Sequence, residues 1–156
     1  MDSMSESTKM KVFDTFAKIF LLNNKLQYII DKELQKDLLT TKQFLLIAAI
    51  EKGFDNPPSV KEVAYALGTS HQNIKQIANQ LQRKSFIAME KDPDDRRVTR
   101  LKVTEKNRRY WDSKAGEHEE VVFGLFSFLN EEEISIFHST INKMLSSLDE
   151  IYTQYR

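Results

Sequence analysis

The sequence lacks cysteine altogether and has only four glycines and three prolines in 156 residues. Without cysteine the chain cannot form a disulfide scaffold, use a thiol nucleophile, switch through thiol oxidation or hold zinc with thiolates. It also lacks any run near eighteen apolar residues, and residues 1–11 are polar and of mixed charge. We therefore expect neither a membrane span nor a signal peptide, and a cytoplasmic location.

Motifs for catalysis and metal binding are missing as well. The chain has no phosphate-cradling glycine loop and no nucleophile elbow. His118 and His138 fall in long helical segments, and no His-Glu-x-x-His spacing accompanies them. The sequence thus predicts no catalytic residue, no metal site and no cofactor, and it argues against an enzyme.

The formal net charge is zero, from 23 basic and 23 acidic residues. Neutrality at first argues against a polyanionic partner, because a basic excess usually marks nucleic-acid binding. However, residues 61–109 hold twelve basic and six acidic side chains, a local charge of +6, and residues 110–156 hold three and nine, a local charge of −6. This segregation indicates that the middle of the chain meets an anion, with ordinary scatter of surface charge as the alternative.

Because glycine and proline are rare, most of the chain keeps a helical period. Apolar residues at helical spacing predict one long helix over 9–36. Thr40 with Gln43 forms a capping box that starts a second helix, and Ser59 with Glu62 forms another that starts a third.

Two short amphipathic helices flank a tight turn at Gly68, a pattern typical of a helix-turn-helix. Ser70 can cap the second of these helices, which we expect over about 70–84. From residue 86 the apolar period changes to alternation, which predicts a β-hairpin over about 86–103 with a polar tip.

The helix over 70–84 has a face suited to reading DNA. Its apolar stripe contains Ile74, Ile77 and Leu81, and a step of about 100° per residue places amides and an arginine on the opposite side. Amides can pair with adenine and arginine with guanine in the major groove, and a helix N-terminus can bind phosphate. Any surface helix exposes amides and charges, which is the alternative. The predicted DNA-contacting residues of this helix are Ser70, His71, Gln72, Asn73, Lys75, Gln76, Asn79 and Arg83.

The hairpin supplies a second set of cations. We expect Arg96, Arg97 and Arg100 to reach a narrow minor groove, where arginine gains from the negative potential. Asp95 would be repelled by phosphate, so we interpret it as a partner that orients a neighbouring guanidinium. The alternative is a solvated turn with compensating charges.

The terminal segments, 9–36 and 105–155, carry more apolar surface than a helix-turn-helix core can cover. A homodimer that buries them is the economical interpretation, and it would place two recognition helices about 34–36 Å apart on a pseudo-palindrome. A monomer whose long helices fold back is the alternative.

An apolar effector pocket is also conceivable between the terminal helices and the DNA-binding core. Its expected lining contains Phe44, Tyr65, Phe86 and Trp111.

The order of these motifs resembles the MarR family of winged helix-turn-helix regulators. Aspartate with arginines, followed by a hydrophobic-threonine pair, is the most specific feature. The matching segments are Leu39-Thr40-Thr41-Lys42-Gln43-Phe44, residues 60–70, residues 81–87, Asp92-Pro93-Asp94-Asp95-Arg96-Arg97 and Val103-Thr104-Glu105-Lys106.

The resemblance implies one MarR-like domain over 1–156, mainly α with a small β-hairpin wing (α+β). Its winged helix-turn-helix core would span 41–106, between long N- and C-terminal dimerisation helices. It further implies a homodimer with the 70–84 helix in the major groove and Arg96 or Arg97 in the minor groove. Members commonly repress transcription, and small phenolic or other effectors often release them.

Two residues depart from the family pattern at usual glycine positions, Ser85 and Asn107. Asparagine tolerates a left-handed backbone and serine is small, so the expected fold is unchanged. The recognition helix also replaces the commoner Ser/Thr and Arg pattern with His71-Gln72-Asn73-Ile74-Lys75-Gln76.

The sequence therefore predicts a sequence-specific regulator that binds double-stranded DNA, a repressor that acts as a homodimer on a pseudo-palindromic operator. Release by a small apolar or phenolic effector is a further expectation. The alternative is a protein-interaction module that keeps the winged-helix fold and binds an acidic partner protein with its basic face.

Overall fold

The computed structural model describes residues 4–155; residues 1–3 and 156, which the expected domain includes, lie outside this range. The described part contains six helices and one two-stranded hairpin, and none of its helices combines the length and apolar character needed to cross a membrane. The fold class, mainly α with a β-hairpin wing, is thus confirmed. The elements are α1 (Glu6–Gln35), α2 (Thr41–Lys52), α3 (Val60–Ala66), α4 (His71–Arg83), β1 (Ile87–Lys91), β2 (Thr99–Val103), α5 (Glu105–Phe126) and α6 (Glu131–Gln154).

Contacts divide the chain into two compact units, one up to Arg108 and one from Arg109 onward. The first unit holds the apolar core, in which α4 contacts α2, α3 and β1. Each fully buried leucine or isoleucine contributes roughly 1.5–3 kcal/mol relative to exposure. This core holds α4 by its apolar stripe and leaves its polar face outward. The buried apolar residues are Leu34, Leu39, Leu46, Ile47, Ile50, Val60, Val63, Ala64, Ile74, Ile77, Ala78, Leu81, Phe86, Ile87 and Leu101.

The hairpin pairs β1 with β2 in antiparallel register, with Ile87 opposite Val103 and Lys91 opposite Thr99. The segment that precedes α3 pairs with the outer edge of β2. The Leu101 amide of β2 donates a hydrogen bond to the Pro58 carbonyl of this segment at 2.8 Å. A two-stranded hairpin alone is marginally stable in water, so this third pairing helps fix the wing on the core.

Three helices end in the same way, with one residue at φ 59°: Leu38 after α1, Gly68 after α3 and Ser85 after α4. At each site, this residue's amide donates to the carbonyl three residues earlier, and the next amide donates to the carbonyl five residues earlier, at 2.9–3.0 Å. This is the Schellman arrangement, which satisfies the last carbonyls of a helix and favours glycine at the left-handed position.

Asn107, which stands at a usual glycine position of the family, has a helical backbone and needs no left-handed conformation. It lies in the first turn of α5, and positive φ among the described non-glycine residues is confined to Leu38 and Ser85. The Asn107 amide donates to the Thr104 hydroxyl at 3.2 Å, and its side chain is fully buried. Of the two positions where the family usually has glycine, only Ser85 therefore carries a left-handed conformation.

In the second unit, α6 begins with a capping box between Asn130 and Glu133. No residue of α6 is buried, and its apolar face includes Ile134, Ile141 and Leu148. The first unit has a similar feature, because the N-terminal half of α1 exposes a row of apolar residues. These faces need a partner to exclude water.

Candidate nucleic-acid interface

Helix α4 presents a polar face opposite its buried stripe, as its periodicity predicts. The Ser70 hydroxyl caps the helix by accepting a hydrogen bond from the Asn73 amide at 3.1 Å. The amides and cations of this face can form hydrogen bonds with base edges or phosphates. The exposed members of the predicted set are Ser70, His71, Gln72, Lys75, Gln76, Asn79 and Arg83.

Asn73 differs from the other residues of the predicted set. Its side chain is half-buried, and Nδ2 donates to the Thr69 hydroxyl at 2.9 Å. This bond ties the first turn of α4 to the turn after α3. In this arrangement Asn73 orients the helix, and its amide does not face outward with Gln72 and Gln76.

Buried polar contacts fix the other end of α4. Gln43 of α2 is 5% exposed and donates through Nε2 to Gln80 Oε1 at 2.9 Å. The Lys84 ammonium donates to Gln43 Oε1 at 3.1 Å and also to the Leu38 carbonyl. Burial lowers the pKa of Lys84. Because both ends of α4 are anchored, its polar face has a defined orientation.

The wing tip exposes Arg96 and Arg97, and the Arg97 side chain is 95% exposed. Asp95 Oδ1 accepts a hydrogen bond from the Arg97 amide at 2.9 Å and lies 3.6 Å from Arg97 Nε. Asp95 is therefore placed next to a guanidinium that it can orient, the role that the sequence suggested for it.

Arg100 lies in a different environment from the other two arginines. Its Nε donates to Asp92 Oδ2 at 2.6 Å, and Nη1 donates to Glu62 Oε2 at 3.1 Å. Local sequence patterns gave no sign of the contact with Glu62, since the two residues are 38 positions apart. The structure thus places Arg100 between two carboxylates, not at the tip with Arg96 and Arg97.

A cleft of about 350 Å³ separates the start of α4 from the wing. Its lining contains cations from α3, α4, β1 and the wing tip, and no acidic residue. In the described part of the chain, the side chains of Lys61, His71 and Lys75 take part in no hydrogen bond or ion pair. A cleft lined by charges of one sign concentrates counter-ions, here anions. We call it the basic cleft, and its basic residues are Lys61, His71, Lys75, Lys91 and Arg97.

Two of these residues, Lys61 and Lys91, were missed by the sequence analysis. The local charge of +6 includes them, but only the fold brings α3 and β1 to the same cleft. Lys91 Nζ also donates to the Thr99 hydroxyl at 3.2 Å, which holds the side chain along the hairpin.

A family model confirms what this arrangement and the motifs indicate. The MarR family model matches residues 38–98, from the start of α2 to the end of the wing tip. Over these residues the chain is similar to the MarR family.

Two curated relatives are transcriptional regulators. The transcriptional repressor MprA of Escherichia coli K12 is 25% identical over 121 residues, which is 78% of this chain and 69% of the relative. The transcriptional activatory protein BadR of Rhodopseudomonas palustris is 24% identical over 135 residues, 86% of this chain and 76% of the relative. The resemblance to MarR family regulators, and not to enzymes, is thus confirmed.

A solved structure with the same fold is the complex of Staphylococcus aureus MepR with DNA. It superposes with a TM-score of 0.73 at 22% identity and covers 85% of this chain and 97% of that one. At this identity the likeness establishes the fold, and the contacts of this chain must be argued from its own residues.

The residues expected to line an effector pocket divide between the two units. Phe44 and Tyr65 are partly exposed and Phe86 is buried, all in the first unit, and Trp111 lies in the second. Trp111 packs against the His118 ring, with centroids 4.7 Å apart. The pocket itself stays a prediction.

The first unit contains a different hollow, of about 390 Å³, between α1, α2 and the turn that precedes α4. Its lining mixes apolar side chains such as Leu26 and Leu45 with polar ones such as Gln27, and it reaches Asn73 and Ile77 of α4. This volume falls within the usual range for small-molecule sites. Within residues 4–155 no group of three or more His, Asp or Glu side chains is placed to bind a metal.

Proposed function

We propose that this protein binds double-stranded DNA as a homodimer and regulates transcription at a pseudo-palindromic operator. The observation that carries the proposal is the polar face of α4 beside the basic cleft. Amides and cations project from one rigid helix, and the basic cleft beside it has no acidic residue in its lining. A groove of bases flanked by phosphates matches both surfaces.

In this proposal α4 enters the major groove. Gln72, Gln76 and Asn79 would hydrogen-bond to base edges, and Arg83 would contact a guanine or a phosphate. The wing would follow the backbone into the adjacent minor groove, where Arg96 and Arg97 would be inserted. The basic cleft between the two elements would receive the intervening phosphates.

The homodimer is supported by the apolar faces of the terminal helices. Phe13 and Phe16 of α1 are 74% and 62% exposed, and Leu145 of α6 is 56% exposed. Isolated exposed apolar residues are common, but rows of this length mark association surfaces. A second copy of the chain is the economical partner, because a two-fold dimer matches a two-fold operator.

We further propose that binding represses transcription and that a small phenolic or other apolar effector releases the protein. A dimer seated in two successive major grooves occupies the DNA and excludes other proteins. A ligand in the hollow next to Asn73 and Ile77 would contact α4 directly. It would shift α4 if it bound more tightly to one of two positions of the helix than to the other.

Selection of bound sites from random duplex DNA tests this proposal most directly. The expected result is an enriched inverted repeat whose half-sites lie about 10–10.5 base pairs apart, one helical turn. Enrichment of a single half-site would contradict the dimer, and no enrichment over input would contradict sequence-specific binding.

A second assay separates DNA binding from the alternative, an acidic protein partner. Fluorescence anisotropy with labelled random duplex at low salt should detect binding, because phosphate contacts alone give measurable affinity. Absence of any binding at low salt would favour a protein-interaction module.

A further inference from the structure

The Arg100 guanidinium connects two parts of the DNA-binding unit that are distant in sequence. On one side Nε donates to Asp92 Oδ2 at 2.6 Å, and on the other Nη1 donates to Glu62 Oε2 at 3.1 Å. A weaker bond of 3.4 Å joins Nη1 to the Pro57 carbonyl. We call the three side chains Asp92, Arg100 and Glu62 the wing clasp.

Each carboxylate of the wing clasp also organises its own segment. The second oxygen of Asp92 accepts hydrogen bonds from the Asp94 and Asp95 amides at 2.9 and 3.0 Å, which shapes the wing tip. Glu62 accepts from the Ser59 amide at 2.6 Å and completes the capping box of α3. One guanidinium therefore joins the wing tip to the start of the helix-turn-helix.

The wing clasp is also sheltered from solvent at its centre. The Asp92 side chain is only 12% exposed and that of Arg100 is 34% exposed, whereas the Arg97 side chain is 95% exposed. The hydrogen bond from Arg100 lowers the pKa of Asp92, and the Ser59 amide lowers the pKa of Glu62. Both carboxylates are thus held in the charged form that the guanidinium needs.

We propose that Arg100 is a positioning residue, which together with Asp92 and Glu62 holds the wing tip at a fixed place relative to α3. This inference rests on the proposed DNA binding, since it explains how α4 and the wing arginines reach adjacent grooves at the same time. A wing that is already in place loses less conformational freedom when DNA binds. Two of the Arg100 donors are already used, so a phosphate contact through them would break the wing clasp.

The direction in which Glu62→Gln changes DNA affinity tests the proposal. Glu62→Gln removes a negative charge near the DNA face, and removal of an acid by itself strengthens DNA binding. Glutamine can still accept a hydrogen bond from the Ser59 amide, so the capping box remains possible. If the wing clasp positions the wing, the variant instead binds DNA more weakly, by roughly three- to tenfold, the size of about one ordinary hydrogen bond.

Glu90→Gln is the matched control on the same hairpin. Glu90 pairs with Lys102 at 2.5 Å, outside the wing clasp, and both side chains are about half exposed. The control removes the same charge, and we expect its DNA affinity to equal or slightly exceed that of the unaltered protein.

Two further measurements separate positioning from a general loss of structure. In an Arg97→Ala background, Glu62→Gln should reduce DNA affinity little further. The wing of that background has already lost its Arg97 contact with DNA, so a change in the position of the wing matters less. Arg100→Lys keeps the charge but not the fork that joins two carboxylates, so it should weaken binding almost as much as Arg100→Ala. Hydrogen exchange at the Asp94 and Asp95 amides should accelerate in Glu62→Gln and not in Glu90→Gln, with unchanged melting temperature.

The outcomes distinguish the inference from the proposed function. If the unaltered protein and Glu90→Gln bind DNA and Glu62→Gln binds as tightly, the wing clasp has no positioning role and the inference is overturned. If Arg100→Lys binds normally and only Arg100→Ala is impaired, Arg100 contacts phosphate and the inference is again wrong. If the unaltered protein fails to bind DNA at low salt, the proposed function itself fails.

Discussion

At the scale of single residues, the left-handed positions offer a reciprocal experiment. Ser85 and Gly68 share φ 59° and the same hydrogen bonds at a helix end, yet only one is glycine. The left-handed conformation costs a non-glycine residue roughly 1–2 kcal/mol, and glycine loses about 0.5–1 kcal/mol more backbone entropy on folding. We expect Ser85→Gly to raise the free energy of unfolding by about 0.5–1 kcal/mol.

The control for this prediction is Gly68→Ala. A Cβ at Gly68 would meet no atom within 4 Å, so the substitution measures backbone strain without a steric clash. Its free energy of unfolding should fall by a similar amount in urea titrations with an unchanged m-value. Equal stability of all three proteins would show that φ at these positions relaxes freely.

The lysines of the basic cleft lead to a second prediction at this scale. Lys61→Ala and Lys91→Ala should each weaken binding to all DNA sequences and reduce the slope of log affinity against log salt by about 0.9 per lost phosphate contact. Lys102→Ala removes the same charge on the hairpin but outside the cleft, where Lys102 pairs with Glu90. Fluorescence anisotropy measurements of DNA affinity at a series of salt concentrations check this prediction. Equal slopes of log affinity against log salt for the three variants would contradict a phosphate site in the cleft.

At the scale of elements, the wing has its own pH dependence. The hydrogen bond from Arg100 and the amides of Asp95 and Asp94 lower the pKa of Asp92 below its ordinary 3.8. A carboxyl group with a lowered pKa in the folded state stabilises it above the unfolded pKa, and this contribution is lost as pH falls through the folded value. The difference in stability between the unaltered protein and Asp92→Asn should be constant from neutral pH to about 4 and should shrink below it.

The difference between the two proteins is the useful quantity, because the other carboxyl groups contribute equally to both. Urea unfolding from pH 7 to pH 2.5 measures it. Asp94→Asn is the control, since it removes an exposed carboxylate of the same wing tip while the bond between Arg100 and Asp92 remains. A gap that widens as the solution becomes more acidic would have the wrong sign for a lowered pKa.

Much of this fold could be predicted at the element scale because its signals are local. The predicted caps at Ser59 and Ser70 start helices in the structure. Thr40 also caps α2 through its hydroxyl, but the predicted capping box there was wrong, because the Gln43 side chain contacts Gln80 and Lys84 instead. The buried stripe of α4 follows from a period of 3.6 residues.

The features that escaped prediction depend on the fold as a whole. Leu38 adopts a left-handed conformation that no local preference favours. Arg100 belongs to the predicted wing cations, but its ion pair with Glu62 joins residues 38 positions apart. Lys61 and Lys91 meet at one cleft only because β1 packs on α4. Long-range juxtaposition leaves no periodic trace in a sequence.

At the scale of the whole molecule, the zero net charge is a sum of opposite parts. The segment with +6 includes α3, α4 and the wing, and the segment with −6 includes α6 and most of α5. Such a distribution favours one-sided contact with a polyanion, because only the basic part gains from the phosphates. Binding should therefore depend strongly on salt although the molecule is neutral.

The proposed homodimer leads to the last prediction, which concerns α1. Phe16 lies on the exposed apolar face of α1, 5.1 Å from the Phe20 ring. Phe16→Glu places a charge on that face, and burying it in a dimer interface would cost several kcal/mol. We expect sedimentation velocity to show a monomer at concentrations where the unaltered protein is a dimer.

The same variant should bind DNA with about half the salt slope, because a monomer contacts the phosphates of one half-site where a dimer contacts two. Thr15→Glu adds the same charge one residue away, on a polar position of α1, and should leave both the mass and the slope unchanged. A Phe16→Glu monomer that retained the full slope would mean that one subunit makes all the phosphate contacts, and the two-fold operator would then have no physical basis. A Phe16→Glu dimer would instead assign association to other faces, with α6 as the next to test.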